Sequence, residues 1–483
     1  MEEKRTLSTK EKALKINLDQ RIYGSFAEIG AGQDAAANFF KAGGASGTIA
    51  KTMSAYDMSF SDAIYGKSGR YVCQPRLQKM LDKEFSLLPV RLKERIEDTN
   101  FFAFANTVET LNFYRTNQGH GWLGCSFQLT PESRPNTCVI HVVLHDIENI
   151  RQQNALGILG VNLIYACYYF YQDPNAFLDS ILDNINPGRV EVDMFSLEGP
   201  DFEHVDNRLM ALKLVSKGLT NAAMFSSDGS VLQASEALYK KNILVLRGRF
   251  RPITKVNIDM LRKGMKQFLA DPEVDEKKTV VMSELTTNAL NASGEINEAD
   301  FLDRVDLLCS QGETVMISNF KEFYKLSEFL GRFNRKRKIG IIVGVYALER
   351  IFDPQYYKNL SGGILESFGH LFGNNVKLYV YPAQELNGDK IFNLSNFKER
   401  LPESLQNLFE YLVGNDKLEE IKRVNKKLLP IFSDNVLKMI QTGEEGWEEF
   451  VPPKVATLIK DNCLFDYPCT LDQFDRARSN KRK

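Results

Sequence analysis

The sequence has little that would tie it to a charged polymer, a metal or a membrane. Its 61 Lys and Arg residues nearly balance its 62 Asp and Glu residues, so the formal net charge is only −1. Binding to nucleic acid or to an anionic membrane surface usually requires a strong excess of positive charge. We therefore expect neither nucleic acid nor a membrane as a partner.

Paired cysteine motifs are also missing. The seven cysteines are dispersed, and no two are spaced as Cys-x-x-Cys. Such a pattern is typical of reduced thiols and argues against a disulfide framework or a zinc site. The first fifteen residues, MEEKRTLSTKEKALK, are charged and lack the apolar core of a secretory signal. The most apolar long segment, residues 156–170, is too short to span a bilayer. We therefore predict a cytoplasmic protein with reduced thiols and no bound metal.

The length of 483 residues is too great for one compact core. Changes in pattern along the chain predict three regions. We expect an α+β N-terminal region over residues 1–185, an α/β, Rossmann-like domain over 186–385 and a helical C-terminal appendage over 386–483. The sequence leaves open whether the chain forms a homo-oligomer.

The central half alternates short apolar runs with amphipathic segments. Apolar runs at residues 278–283, 313–318, 338–345 and 376–381 are typical of buried strands, and helical periodicity occupies residues 299–310, 322–333 and 363–372. This alternation predicts an α/β fold with a mainly parallel, helix-covered sheet. Ligands of such sheets bind at the carboxyl ends of the strands.

Three apolar runs between residues 100 and 146 predict antiparallel strands in the N-terminal region. They carry His120, His141 and His145, three of only five histidines in the chain. A zinc site would need a third ligand of suitable geometry. Structural histidines, satisfied by hydrogen bonds, are the favoured interpretation, and zinc is the alternative.

A glycine-rich stretch covers residues 30–66. Its opening, Gly30-Ala31-Gly32-Gln33-Asp34-Ala35, fits the dinucleotide-binding pattern G-x-G-x-x-G/A. The strand before it, however, reads as short and polar, and no second apolar strand ends in an acidic residue about twenty residues later. Small residues that allow two helices to pack closely are the alternative interpretation, and we favour it.

The best candidate for a ligand site is the stretch of residues 241–269, KNILVLRGRFRPITKVNIDMLRKGMKQFL. An apolar run at residues 243–246 predicts a strand buried on both faces. Gly248 breaks the run, and a helix is predicted to begin near Thr254 or Asn257. Arg249, Arg251 and Lys255 lie in the turn between them. A strand, a glycine turn, cations and a helix N-terminus together favour phosphate binding.

The segment from Gly248 to Asn257 resembles the first motif of the nucleotidylyltransferases, G-x-F-x-P-x-[TH]-x-G-H. Gly248, Phe250, Pro252 and Thr254 match this motif, whereas Val256 stands in place of its second glycine and Asn257 in place of its final histidine. The chain also resembles a group of uncharacterised bacterial proteins that are often labelled nicotinate- or nicotinamide-nucleotide adenylyltransferases.

This resemblance implies a Rossmann-like domain that binds a small phosphorylated ligand, with ATP and Mg²⁺ as possible cofactors. It places ligand contacts at Gly248, Arg249, Phe250, Arg251 and Pro252. It assigns the candidate catalytic positions to Thr254, Lys255 and Asn257. A nucleotidyltransferase-like enzyme is one expectation. The alternative is a non-catalytic binding or scaffold protein that lacks the histidine.

Overall fold

The computed structural model describes residues 5–290, 296–385, 388 and 390–471. The chain divides into two compact units at Thr220 and Asn221. The first unit is α+β, the second is α/β, and the C-terminal segment is mainly helical, which confirms the predicted fold class.

The first unit contains six strands and seven α-helices among its described residues. The strands are β1 (Ile22–Gly30), β2 (Ile49–Ser54), β3 (Asn100–Glu109), β4 (Gly119–Phe127), β5 (Asn136–Leu144) and β6 (Val190–Glu198). The helices are α1 (Thr9–Asn17), α2 (Asp34–Ala42), α3 (Met58–Tyr65), α4 (Gln74–Arg91), α5 (Asn149–Tyr169), α6 (Pro174–Ile181) and α7 (Asn207–Ser216).

These strands form one sheet in the order β2-β1-β3-β4-β5-β6. β1 is parallel to β2 and β3, and the pairs from β3 to β6 are antiparallel. Alternate residues face opposite sides of the sheet. Leu123 and Cys125 therefore join the core beneath α1, α2 and α5, whereas Gly124 lies against Leu77 and Leu81 of α4.

The described residues of the second unit form ten strands. They are β7 (Ala222–Phe225), β8 (Val231–Leu232), β9 (Asn242–Arg247), β10 (Thr279–Thr286), β11 (Thr314–Ser318), β12 (Ile339–Gly344), β13 (Val376–Tyr381), β14 (Ala383–Gln384), β15 (Ile391–Phe392) and β16 (Leu418–Glu420).

The helices of the second unit follow most of these strands. They are α8 (Ala234–Ala237), α9 (Lys255–Leu269), α10 (Thr287–Leu290), α11 (Glu298–Ser310), α12 (Phe323–Asn334), α13 (Val345–Ile351), α14 (Gly363–Phe372), α15 (Leu394–Phe397), α16 (Glu403–Gly414), α17 (Ser433–Thr442) and α18 (Pro453–Asp461).

The main sheet of this unit has the order β16-β13-β12-β9-β10-β11-β7-β8. Its six strands from β16 to β11 are parallel, while β7 and β8 extend the far edge in antiparallel pairing. The chain runs from β9 outward through β10 to β11, then returns to place β12 on the other side of β9. The order of connection therefore reverses between β9 and β12. This is the doubly wound arrangement in which ligands bind at the point of reversal.

Helices cover both faces of the second sheet. Ile341 and Val343 face the core that α12 and α14 complete, and Ile342 faces the opposite side, where it lies against Gly264 of α9. A β-carbon at Gly264 would lie 2.5 Å from the Ile342 side chain, so this glycine permits the close approach of helix to strand.

The boundaries of the units differ from the three regions expected from the sequence. β6 pairs with β5, which keeps residues 186–220 in the first unit. At the other end, β16 pairs with β13, so the segment after residue 386 contributes to the second unit. The sequence of a short apolar strand does not show which sheet the strand will join, because tertiary contacts determine its partner.

Two further expectations change with the structure. β1, which reads as short and polar, has nine residues that are mostly buried. Cys463 and Cys469 form a disulfide, contrary to the expected full set of reduced thiols, while Cys73, Cys125, Cys138, Cys167 and Cys309 remain thiols. The six-residue separation of the bonded pair gave no sequence signal, since dispersed cysteines do not reveal their pairing.

No helix within the described residues is both long enough and apolar enough to cross a membrane. The apolar helix α5 instead buries a polar group. Its Asn162 accepts a hydrogen bond of 2.9 Å from Lys12 Nζ, which also pairs with Asp183 at 2.6 Å.

Candidate functional site

A cavity of about 390 Å³ opens in the second unit where the connection order of the sheet reverses. Its walls come from the carboxyl end of β9, from α10 after β10, from the start of α12 and from α13 after β12. Its lining residues are Arg247, Gly248, Arg249, Thr286, Asn288, Ala289, Lys321, Glu322, Phe323, Ala347, Arg350, Ile351, Tyr356 and Tyr357. This volume is within the range of small-molecule sites.

The strand–turn–helix predicted around residue 248 is confirmed. β9 ends at Arg247, and α9 begins at Lys255 with Thr254 as its N-cap. Gly248 lies beneath the Phe250 ring, and a β-carbon at Gly248 would lie 2.8 Å from that ring. Glycine is therefore required for the buried Phe250 to fold back over the turn.

The cationic side chains of the turn occupy different places. The Arg249 side chain is 67% exposed and lines the cavity, with Asp434 3.5 Å away. Arg251 instead pairs through Nε with Asp300 Oδ1 at 2.6 Å, outside the cavity lining. Arg304 ties these residues together, since it pairs with Asp300 and donates to the Arg249 carbonyl at 3.0 Å. Arg249 can therefore contact a ligand, while Arg251 holds the turn.

The residues at the start of α9 serve the helix itself. The backbone N–H and the hydroxyl of Thr254 each donate to Asn257 Oδ1, both at 2.9 Å. This interaction is part of a capping box, in which the first helical turn is closed by its own side chains. Within the described part of the chain, the cavity lining does not include Pro252, Thr254, Lys255 or Asn257.

Two further exposed cations reach the cavity from distant parts of the chain. Lys321 precedes α12, and Arg350 lies in the last turn of α13. The neighbouring Glu322 pairs with Lys325 at 3.0 Å, which offsets the negative charge at the rim. Together with Arg249, these residues give the cavity an anion-attracting wall.

Beneath the cavity lies a buried ion pair. Arg247 binds Glu284 in a bidentate manner, with Nε to Oε2 at 2.7 Å and Nη2 to Oε1 at 2.8 Å. Ser318 also donates to Glu284 Oε1 at 2.6 Å. The Arg247 guanidinium lies 4.4 Å from the centre of the Phe323 ring. This network joins β9, β10 and β11 at their carboxyl ends and fixes the orientation of Phe323.

The cavity is also partly apolar. Phe323, Ala347, Ile351 and Tyr356 contribute ring and aliphatic surface, and Tyr356 is 47% exposed. Tyr357 is held by a hydrogen bond of 2.8 Å from its hydroxyl to the Ile351 carbonyl. Aromatic surface beside cations suits a ligand that has both a planar ring and phosphate groups.

The helix that follows the opening of the glycine-rich stretch, α2, packs closely against α5. A β-carbon at Gly160 of α5 would lie 2.5 Å from Ala35, and one at Gly157 would lie 2.6 Å from Asp34. Small residues thus bring α2 and α5 into close contact, which agrees with the favoured interpretation. Burial raises the pKa of the nearby Glu28 carboxyl to about 7.

The histidines of the first unit make hydrogen bonds and ion pairs, as favoured from the sequence. His120 and His141 contact each other, and His145 pairs with Glu191 at 3.5 Å. Among the described residues, no group of three or more His, Cys, Asp or Glu side chains could hold a metal ion.

Comparisons with known proteins add little to this site. No family model matches the sequence, and no curated protein matches it. Among the solved structures that match is the competence/damage-inducible protein CihA from Agrobacterium tumefaciens. It has a TM-score of 0.25 and 16% sequence identity, over 33% of this chain and 94% of that chain. A similarity of this degree carries no argument about function.

Proposed function

We propose that the protein binds a phosphorylated nucleotide in the cavity between β9 and β12. The observation that carries this proposal is the position of the cavity at the reversal of a doubly wound sheet, with Arg249, Lys321 and Arg350 on its wall. In such sheets this crevice is the usual site for nucleotides.

The charge distribution supports a ligand with several negative oxygens. Arg249, Lys321 and Arg350 come from three separate segments, so their charges converge only in the folded unit. Arg247 is neutralised by Glu284 and serves as a support. Phosphate groups would contact the three exposed cations, and a planar ring would rest against Phe323 or Tyr356. Any Mg²⁺ would arrive with the phosphates of the ligand, as is common for nucleotide sites.

Isothermal titration calorimetry with ATP, ADP and inorganic phosphate tests the proposal. A hydrogen bond to a charged group contributes about 1.5–3 kcal/mol, so Arg249→Ala and Arg350→Ala should each weaken ATP binding by about tenfold or more. Arg332→Ala is the matched control, because Arg332 is an exposed arginine in the last turn of α12, away from the cavity lining. Unchanged affinity in a folded Arg249→Ala, Arg350→Ala double variant would refute the proposal.

Nucleotidyl transfer is the second candidate function. The match of Gly248, Phe250, Pro252 and Thr254 to the nucleotidylyltransferase motif, on a strand–turn–helix, favours it. The engagement of Asn257 in the capping box favours binding without this chemistry. We therefore propose nucleotide binding as the first function, and a separate assay tests nucleotidyl transfer.

A further inference from the structure

The cavity of the second unit contains a carboxylate beside its cations. Of the described residues that line the cavity, only Glu322 is acidic, and it lies between Lys321 and Phe323 at the start of α12. A carboxylate repels the phosphate groups that Lys321 would attract. It also accepts hydrogen bonds from neutral O–H and N–H groups. The position of Glu322 therefore favours a ligand that has hydrogen-bond donors as well as phosphates.

The helix that follows Glu322 does not use its carboxylate. Glu322 is the N-cap residue of α12, with extended backbone angles of φ −98° and ψ 147°. The side chain of an N-cap residue usually accepts a hydrogen bond from a backbone N–H of the first helical turn. The Glu322 side chain makes no such bond. This differs from the start of α9, where Thr254 and Asn257 bind each other in a capping box.

The two carboxylate oxygens of Glu322 have different surroundings. Oε2 is buried and lies 3.0 Å from Lys325 Nζ, which compensates the negative charge and holds the side chain in place. Oε1 has no hydrogen-bond partner within the described parts of the chain. The Glu322 side chain is 14% exposed. Because Oε2 is buried, Oε1 is the oxygen that a ligand in the cavity can reach.

The neighbours of Glu322 indicate which part of a nucleotide would reach it. Lys321 is an exposed cation, and Phe323 contributes a ring to the cavity. The Arg247 guanidinium lies over one face of this ring, 4.4 Å from its centre, which leaves the other face for a base. In a nucleotide the ribose connects the phosphates to the base and carries neutral hydroxyl groups. With phosphate at Lys321 and the base on Phe323, the ribose lies beside Glu322.

A metal ion is the other ligand that a carboxylate could bind. Among the described residues, no group of three or more His, Cys, Asp or Glu side chains could hold one. The charge of Glu322 is already compensated by Lys325. A hydroxyl donor suits a single carboxylate oxygen of this kind better than a cation does, since it brings no charge that needs further ligands.

We propose that Glu322 makes the cavity specific for ribonucleotides, because Oε1 accepts a hydrogen bond from the 2′- or 3′-hydroxyl of the ribose. This inference rests on the proposed nucleotide site and adds the class of sugar that the site accepts. A nucleotide without this hydroxyl would leave a carboxylate oxygen unpaired and shielded from water, which lowers affinity.

Calorimetry on the full chain compares ATP with 2′-deoxy-ATP and 3′-deoxy-ATP, which keep the phosphates and the base. A hydrogen bond to a charged group is among the stronger ones, so ATP should bind about tenfold or more tightly than at least one of the two analogues. Equal affinity for all three would overturn the inference and leave the nucleotide site in place. If the wild type bound none of them, the nucleotide site and this inference would both be wrong.

Variants of Glu322 test whether this side chain causes the preference. Glu322→Ala should weaken ATP binding to the level of the less tightly bound analogue, so that the preference disappears. A general disturbance of α12 would instead weaken all three nucleotides alike. Glu322→Gln keeps the size and an acceptor without the charge, and it should show an intermediate preference. Full preference for ATP in folded Glu322→Ala would contradict the assignment. If Glu322→Ala does not fold, the wild type and Glu322→Gln decide.

Two control variants keep the Glu322 carboxylate. Lys325→Met removes the ion pair, and it should retain the preference for ATP. Glu328→Ala is the matched control, because Glu328 belongs to the same helix, pairs with His370 at 2.7 Å and is absent from the described cavity lining. It should change neither the affinities nor their ratio.

Inosine triphosphate separates the ribose from the base as the source of the donor. It has a carbonyl where adenine has an amino group, and its ribose is unchanged. We expect its affinity to fall by the same factor as that of ATP in Glu322→Ala. Weak binding of inosine triphosphate to the wild type, with a difference from ATP that disappears in Glu322→Ala, would assign Glu322 to the base and overturn the ribose assignment.

Discussion

At the scale of single residues, Arg249 and Arg251 show how neighbouring cations acquire separate roles. Arg251 faces Asp300, whose carboxylate is only 7% exposed and also pairs with Arg304. Arg249 contributes its carbonyl to Arg304 and leaves its guanidinium at the cavity. The sequence of the turn does not show which arginine has which role, because Asp300, the acidic partner of Arg251, lies about fifty residues away along the chain.

Asn257 illustrates the same principle for a candidate catalytic residue. Where the nucleotidylyltransferase motif has a histidine, this chain has a side chain whose oxygen accepts two hydrogen bonds from Thr254. An asparagine carries no charge and cannot supply a proton. Loss of one donor that stabilises the transition state costs about 3–4 kcal/mol, or roughly a hundred- to a thousandfold in rate.

We therefore predict weak or absent adenylyl transfer by the wild type even where ATP binds. The assay measures pyrophosphate release from ATP and Mg²⁺ with nicotinate or nicotinamide mononucleotide, for the wild type and for Asn257→His. We expect weak or absent turnover in both proteins, and a loss of stability of about 1 kcal/mol in the variant because the cap is removed. Robust wild-type turnover would show that another group performs the role of the histidine.

At the scale of elements, the sequence predicted what is locally encoded. The strands β9 to β13 each contain an apolar run, and α11, α12 and α14 each have helical periodicity, so these elements could be placed within a few residues. The antiparallel β7 and β8 and the placement of β6 depend on pairing across the sheet. Local pattern does not encode such pairing.

Part of the candidate site could also be predicted from the sequence. Gly248 and Arg249 could be found because they follow a strand and precede a helix. Lys321 and Arg350 were missed, although the sequence showed polar residues after the strand that ends at Ser318. Lys321 follows one predicted parallel strand and Arg350 follows another, and this position is the sequence feature that could have identified them. Only the strand order shows that these ends meet at one crevice.

The disulfide between Cys463 and Cys469 gives a prediction at this scale. Thiol titration of denatured, unreduced protein should count five thiols rather than seven. Closing so short a loop restricts the unfolded chain, and by the chain-entropy relation its loss should destabilise the second unit by about 2 kcal/mol. Thermal unfolding of the wild type and of Cys463→Ser, Cys469→Ser measures this difference.

Cys309→Ser is the matched control for that measurement, because Cys309 is a partly exposed cysteine of the same unit that lies outside the disulfide. It should lower the thiol count by one, and a reductant should destabilise this variant as much as it destabilises the wild type. A count of seven thiols in unreduced wild-type protein would show that the bond is absent in solution.

At the scale of the whole molecule, the two units are self-contained in their cores and sheets. The strands of the first sheet all lie before Thr220, and those of the second sheet all lie after it. The main hydrophobic cluster of each unit draws its described residues from that unit alone. Each unit therefore has the attributes of a domain that can fold by itself.

The proposed nucleotide site falls within the second unit, which allows it to be tested in a fragment of the chain. Every residue that lines the cavity lies between Arg247 and Tyr357. We predict that a fragment of residues 221–483 unfolds cooperatively and binds ATP with an affinity within about threefold of the full chain, since a change below about 0.7 kcal/mol is expected when no contact is lost.

Calorimetry of the fragment and of the full chain under the same conditions measures this comparison, and Arg249→Ala in the fragment should weaken ATP binding as it does in the full chain. The fragment of residues 1–220 is the control and should show no ATP binding. If residues 1–220 bound ATP as well as the full chain does, the nucleotide site would lie in the first unit and the proposal would be wrong. A folded fragment of residues 221–483 that does not bind ATP, beside a full chain that does, would contradict the assignment of the cavity between β9 and β12.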